Sequence, residues 1–333
     1  MGKNIAVVGA TGAVGVEILK VLENRNFDIA ELKLLASPRS AGKKMMFRGK
    51  EYTVEALSED SFHNVDIALF SAGGSITKQY APAAVASGCV VVDNSSAYRM
   101  DKEVPLIIPE INPQEIKKHK GIIANPNCST IILLMAIYPI YRLYGITKII
   151  VSTYQAASGA GAAAMQELEE QAKAHLANQE IVTKVLPYQL AFKVFSHNSA
   201  MDTETGYNQE EIKMVNETHK ILNDETIEVS PTCVRVSTFR AHAESIHLEL
   251  KTKVELNKVR QVLADFPGVQ VEDNIEQNRF PMPLEVSGKD DVYVGRIRTD
   301  YKDAAGKTLQ LFVVGDQLLK GAALNAVQIA ELL

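Results

Sequence analysis

The sequence predicts an α/β chain of two domains: a doubly wound parallel sheet first, then an α+β domain with a mainly antiparallel sheet. Three observations predict it. Short apolar runs alternate with helix-period stretches over the first 125 residues. Beyond about residue 150, long alternating strands follow one another without helices between them. A glycine-rich turn also joins the first strand to the first helix. A length of 333 residues itself favours two domains.

Ile5–Val8 reads as a buried strand, and Ala13–Glu23 as a helix with Val14, Ile18, Val21 and Leu22 along one face. Further strands are Glu31–Ala36, the alternating Glu51–Leu57, Val65–Ser71, Val90–Asp93 and Ile122–Ala124, with an Ala-rich helix running from Gly73-Gly74 to Ala86. Strand and helix in turn, joined by short connections, make a parallel sheet. Glu228–Ser237, Ala243–Val254, Val292–Thr299 and Leu309–Val314 supply the second sheet. In the second of these, Ile246, Leu248 and Leu250 face one way and Ser245, His247 and Glu249 the other, as in a sheet covered on one face. Gly321–Leu333 reads as a final amphipathic helix, and the weakly periodic Asn178–Thr205 as a long functional loop.

Hydrophobic residues make up 46% and charged residues 23%, the composition of a globular protein. The net charge is -5 and no dense Lys/Arg run occurs, which argues against a nucleic-acid partner. No stretch approaches the ~18 apolar residues of a membrane span. Four apolar residues before the glycine turn are too few for a signal-peptide core. Ala6 stands where a myristoylation pattern asks for Ser or Thr. Cysteines at 89, 128 and 233 form neither a disulfide framework nor a zinc pair. The expectation is a cytoplasmic chain with free thiols and no metal.

Gly9-Ala10-Thr11-Gly12-Ala13-Val14-Gly15 follows the first strand and opens the first helix. Glycines here let the backbone approach a pyrophosphate resting on the helix N-terminus, a Rossmann-like cofactor site; the bland alternative is an ordinary turn. An NAD enzyme would normally end the second strand with Asp or Glu. This strand ends Ala36-Ser37-Pro38-Arg39-Ser40. Arg39 between two hydroxyls suits a 2′-phosphate, so NADP is the expected cofactor. Ser71-Ala72-Gly73 would border the same crevice.

Cys128, in Pro126-Asn127-Cys128-Ser129-Thr130, stands between a strand and an apolar helix, where the helix dipole favours thiolate. Taken alone it reads equally as a nucleophile or a buried cysteine. Cys89 stands at the entry to a buried strand and Cys233 within a strand, and both read as packed, inert thiols. Among the histidines His242, in Arg235-x6-His242 at a strand junction, is the candidate base, and His247 reads as structural. His63, His119, His175, His197 and His219 read as surface residues.

These motifs, with Asn94-Ser95-Ser96-x-x-Arg99, Gln155-x-x-Ser158-Gly159 and Lys320-Gly321-Ala322-Ala323-Leu324-Asn325, resemble the bacterial branch of aspartate-semialdehyde dehydrogenase in order and spacing across essentially the whole chain. The resemblance implies reversible NADP-dependent reductive dephosphorylation of L-4-aspartyl phosphate to L-aspartate 4-semialdehyde, at the branch toward lysine, threonine and methionine. It implies Cys128 as acyl-thioester nucleophile, His242 as general acid/base and Gln155 as the group orienting the acyl. Arg235 would hold the substrate carboxylate and Glu210 its ammonium; Arg99, Lys213 and Asn127 would hold inorganic phosphate. Taken alone, Arg99 reads as a solvated loop residue and the Glu210/Lys213 pair as a surface ion pair. Ser158, Gly159, Gln317 and Asn325 would lie by the nicotinamide. Implied too are residues 1–127 with 316–333 as cofactor domain, 128–315 as catalytic and dimerisation domain, and homodimers, with a tetramer as the alternative assembly. The nearest rival is N-acetyl-γ-glutamyl-phosphate reductase, whose blocked amine would leave Glu210 without a purpose. A non-catalytic dinucleotide-binding protein is the rival from another class.

Overall fold

The computed structural model describes residues 2–333, and the chain divides into two compact units. One runs through Asn127 and takes in Ala322–Leu333; the other is Cys128–Gly321. Expectation placed the return of the chain at 316. Asp316 and Gln317 instead belong to the second unit, because Asp316 Oδ2 accepts from Arg240 Nε at 2.5 Å and Gly288 N at 2.6 Å, and Gln317 Oε1 accepts from Ala241 N at 3.0 Å.

The first unit contains β1 (Lys3–Val8), α1 (Ala13–Asn24), β2 (Ile29–Ala36), β3 (Lys44–Phe47), β4 (Lys50–Thr53), β5 (Glu55–Ala56), β6 (Ile67–Phe70), α2 (Gly74–Ala86), β7 (Val90–Asp93) and β8 (Ile122–Ala124). Its sheet runs β5-β2-β1-β6-β7-β8, and every pairing is parallel. Strand order reverses between β1 and β6, so the turns after these two strands flank one crevice at their carboxyl ends. α1 buries Ile18, Val21 and Leu22 of the expected stripe and Leu19 beside them, while Val14 is only partly buried. The expected strand Glu51–Leu57 is divided. Arg48 and Gly49 both take positive φ, which closes β3 and β4 into a tight hairpin of their own, and only Glu55–Ala56 joins the main sheet.

The second unit contains α3 (Cys128–Tyr144), β9 (Ile146–Gln155), α4 (Ala162–Leu176), β10 (Val194–Ser196), α5 (Gln209–Leu222), β11 (Glu228–Val236), β12 (His242–Leu250), α6 (Leu256–Ala264), β13 (Val269–Val271), α7 (Pro283–Val286), β14 (Val292–Arg298) and β15 (Thr308–Gly315). Its sheet, β10-β11-β9-β12-β15-β14-β13, is mixed: β9 pairs β11 and β13 pairs β14 in parallel, and the remaining pairs are antiparallel. On β9, Ile149, Val151, Thr153 and Gln155 are buried, whereas Ile150 and Tyr154 stay exposed on the other face. α8 (Leu324–Glu331), back in the first unit, is tied to the end of α1 by a two-bond fork from Arg25 to Glu331 at 2.7 and 2.6 Å. Among the described residues no helix is long and apolar enough to cross a membrane.

The weakly periodic stretch from 178 to 205 is largely irregular, with β10 as its one short strand. Side chains of α4 take up its backbone donors. Glu167 accepts from the amides of Lys184, Val185 and Leu186, and Gln171 Oε1 from those of Leu190 and Ala191. A loop held this way carries no hydrophobic period, which is why its sequence reads as shapeless.

Candidate active site

In the first unit the glycine turn is shaped by close approach. Gly9 has φ +82, and a Cβ on it would lie 2.7 Å from the Ser71 carbonyl oxygen; one on Gly15 would lie 2.2 Å from the Gly9 carbonyl. α1 starts after Gly12 without any side-chain cap or acid in its first turn, so the amides of Ala13 and Val14 face no carboxylate of their own helix. That cradle suits a phosphate group. Thr11 Oγ1 donates to Ser40 Oγ at 3.4 Å, joining the turn to the end of β2, where Ser37 and Arg39 are exposed and no acid stands. After β6, Ser71 Oγ donates to the Val8 carbonyl, and Gly73, with φ +88, begins an equally uncapped α2.

Arg99 is buried rather than solvated: Nε donates to the Asn125 carbonyl at 2.9 Å and Nη2 to that of Asn94 at 2.8 Å. Asn127 is buried as well, and Asn325 Nδ2 donates to Asn125 Oδ1 and the Ile107 carbonyl.

In the second unit, register gathers side chains far apart in sequence. Arg235 pairs directly with Gln155 across β11 and β9, and Ala243, next to His242, pairs with Tyr154 on β9's other edge. Gln155, Arg235 and His242 are thus together at one end of the sheet, and all three are buried. Gln155 Nε2 donates to Ser129 Oγ at 3.0 Å, beside the thiol residue, and lies 3.5 Å from Glu210 Oε1. α5 begins where it does because Asn208 Oδ1 accepts from the amides of Glu210 and Glu211 while Glu211 Oε2 accepts from the Asn208 amide. Glu210 is buried, and its ion pair with Lys213 at 3.1 Å joins a buried oxygen to a part-exposed ammonium rather than two solvated groups.

His242 Nδ1 accepts the Ala156 amide at 3.0 Å, and Arg235 Nη1 donates to the Ala156 carbonyl at 2.8 Å, so one residue aligns both the imidazole and the guanidinium. Burial first, and the Arg235 charge second, pull the His242 imidazole down to about 3. The ring is neutral near pH 7, and with Nδ1 accepting, its proton sits on Nε2. Nε2 has no hydrogen-bond partner among the described residues. Gly159 leaves room for this pair: a Cβ there would be 3.1 Å from His242 Nε2 and 3.0 Å from Arg235 Nη1. Glu244, two residues along the same strand, is wholly buried with neither oxygen hydrogen-bonded among the described residues, and burial pushes its carboxyl well above the usual range. Gln317 Nε2 donates to Ser158 Oγ.

Cys128 is the first residue of α3 and is half-buried, whereas Cys89, just before β7, and Cys233, within β11, are buried. Burial pushes the Cys89 thiol up to about 12 and the Cys233 thiol higher still. A Cβ on Gly321 would lie 2.8 Å from Cys128 Cβ. Gly321→Ala is therefore expected to displace the thiol and cut kcat by about 10-fold or more, since small misplacements of reacting groups cost that much. The check is kcat together with thermal unfolding; unchanged kcat in a folded variant would refute the packing argument.

One residue placed here was read from sequence as surface. His197, from the irregular loop, has Nε2 2.7 Å from Arg235 Nη2. No periodicity marks it, and only the fold of β10 against β11 brings it in.

A nucleotide-cradling parallel sheet joined to a unit that presents a helix-terminal thiol, a buried imidazole and a buried guanidinium defines an oxidoreductase acting on an aldehyde. Family models agree: "Semialdehyde dehydrogenase, NAD binding domain" matches residues 4–119, and "Semialdehyde dehydrogenase, dimerisation domain" matches 137–320. Aspartate-semialdehyde dehydrogenase of Aquifex aeolicus is 53% identical over 100% of this chain and 98% of its own, and that of Bacillus subtilis is 48% identical over 99% and 97%. The solved aspartate semialdehyde dehydrogenase II of Vibrio cholerae, 44% identical, superposes with a TM-score of 0.96 over 100% of this chain and 98% of that one, and has also been solved complexed with ASA. The chain belongs to the aspartate-semialdehyde dehydrogenase family.

Proposed function

We propose that the chain interconverts L-aspartate 4-semialdehyde, phosphate and NADP with L-4-aspartyl phosphate and NADPH, through a thioester on Cys128. The observation that carries this reading is the buried cluster of Gln155, Arg235, His242 and Glu210 at one end of the second sheet. It offers one cation and one anion, the minimum for orienting a zwitterionic amino acid, and Arg235 Nε is buried with no hydrogen-bond partner among the described residues. A guanidinium matches a carboxylate in a two-bond fork.

In the oxidising direction the Cys128 thiolate bonds to the aldehyde carbon, and the carbonyl π pair moves to oxygen. The Nε2–H of His242 donates to that oxyanion, a role its tautomer suits. When bound, NADP supplies the acceptor for the hydride that leaves this carbon. The thioester left on Cys128 is reactive toward oxygen nucleophiles yet persists in a site without them. A phosphate oxygen, held by Arg99, Lys213 and Asn127, then bonds to the acyl carbon, and the thiolate departs as leaving group. Glu210 holds the ammonium and Gln155 steers the acyl group.

NADP over NAD is supported by the uncapped α1 with Gly9, Gly12, Ala13 and Val14, and by the acid-free end of β2 with Arg39. Ser71, Ala72 and Gly73, and Ser158, Gly159, Gln317 and Asn325, complete the proposed cofactor set. The match to a dimerisation-domain model and the apolar residues Ile150 and Tyr154 exposed on the second sheet support a homodimer. The test is phosphate-dependent NADPH formation: turnover is expected with aspartate semialdehyde and not with N-acetylglutamate semialdehyde. The reverse preference would replace this reading by the N-acetyl-γ-glutamyl-phosphate reductase one.

A further inference from the structure

We infer that His197 is a positioning residue of the substrate clamp, holding the Arg235 guanidinium and tying it through Ser199 to the start of α5, which carries Glu210. The inference rests on the reading of Arg235 and Glu210 as the carboxylate and ammonium partners of the substrate. A guanidinium does not give up its protons, so Arg235 Nη2, 2.7 Å from His197 Nε2, donates and the ring nitrogen accepts. The ring proton then sits on Nδ1, which lies 3.1 Å from Ser199 Oγ and donates to it. A neutral imidazole accepts at one nitrogen only, so with Nε2 accepting from Arg235 the Ser199 amide, 3.2 Å from Nδ1, is a contact only. Ser199 Oγ donates in turn to Asn208 Oδ1 at 3.3 Å and accepts the Glu210 amide at 3.1 Å.

The bonds run in one direction from Arg235 through His197 and Ser199 to Asn208, and the Glu210 amide donates into the line at Ser199 Oγ. The two charges that would grip the substrate's ends are therefore fixed relative to each other by a loop segment of three residues. A lysine or arginine at 197 could not serve, because the position must accept. Burial pulls the His197 imidazole down to about 4, with Glu210 opposing and Arg235 and Lys213 adding to the shift. His242 faces the same group from β12. His197 accordingly stays neutral, as an acceptor for Arg235 must, at the pH where the enzyme works.

The test compares two uncharged amides of different reach in the full-length enzyme. In His197→Gln the side-chain oxygen reaches the place of Nε2; in His197→Asn it reaches only that of Nδ1. Loss of a hydrogen bond to a charged group is expected to raise the KM for aspartate semialdehyde by about 10-fold or more in His197→Asn, with kcat within about 3-fold and the KM for NADP unchanged. His197→Gln is expected to keep KM within about 3-fold of the native enzyme. Equal KM in both variants and the native enzyme, with Arg235→Ala still raising it, would overturn the role of His197 and leave the clamp standing. Unchanged KM in Arg235→Ala would overturn the clamp itself. Equal losses in both amides, with lowered thermal stability, would reduce His197 to a packing residue and overturn the inference as well.

Discussion

Replacing Cys128 with serine is expected to lower turnover by at least about 10⁴-fold while leaving NADP affinity and thermal unfolding near native. The substitution is nearly isosteric, and the space that Gly321 leaves beside Cys128 Cβ is not violated by a smaller atom. What changes is chemistry. A thiol at the first residue of a long helix is favoured as thiolate by the helix dipole, whereas a serine hydroxyl stays protonated at any accessible pH. Serine would also form an ester, which resists both hydride reduction and displacement by phosphate. Steady-state rates with aspartate semialdehyde, beside a fluorescence titration of NADPH, separate lost chemistry from lost binding. Turnover within about 10-fold of native would remove Cys128 from the mechanism.

His242→Ala is expected to cost about 10²- to 10⁴-fold in kcat, the range for losing a positioned proton-bearing group. The variant also leaves the Ala156 amide without its acceptor and opens a hole beside Arg235, so a drop in stability of about 1–3 kcal/mol should accompany it. The pH dependence discriminates among roles. The folded imidazole is pulled down to about 3, below its ordinary 6.5, so the neutral ring is the working form at every pH above the folded value. Its contribution to rate is present through pH 5–9 and vanishes only as pH falls through about 3. Native and His242→Ala profiles should therefore be parallel between pH 5 and 9, displaced but equal in shape. A limb near pH 6–7 present only in the native enzyme would show a base titrating there, contrary to the donor tautomer. The same burial makes the folded state sensitive to acid: the stability associated with the neutral ring is complete above 6.5 and is lost as pH falls toward the folded value.

The first sheet was legible because its signals are local. Four apolar residues before Gly9, and the spacing of Val14, Ile18, Val21 and Leu22, each announce an element within a few residues. The hairpin at 44–53 was not legible, because Arg48-Gly49 lacks the Asn-Gly signature its backbone conformation usually carries. Cys128 was legible as a helix-terminal thiol, since strand, turn and apolar helix adjoin it in sequence. Its companions were not legible from spacing. Gln155, Arg235 and His242 meet only because β9, β11 and β12 are neighbours in register, which no local pattern encodes. The resemblance to known enzymes named those three but was silent on His197, whose loop is shaped by the side chains of Glu167 and Gln171 rather than by its own sequence period.

The covalent step is tested most directly by mixing the enzyme rapidly with aspartate semialdehyde and NADP while withholding phosphate. A thioester that awaits phosphate predicts a burst of NADPH of about one equivalent per chain, then a stall, with an aspartyl group recovered on the peptide bearing Cys128. NADPH formation at the full rate without phosphate, or a burst with no acyl group on Cys128, would contradict it.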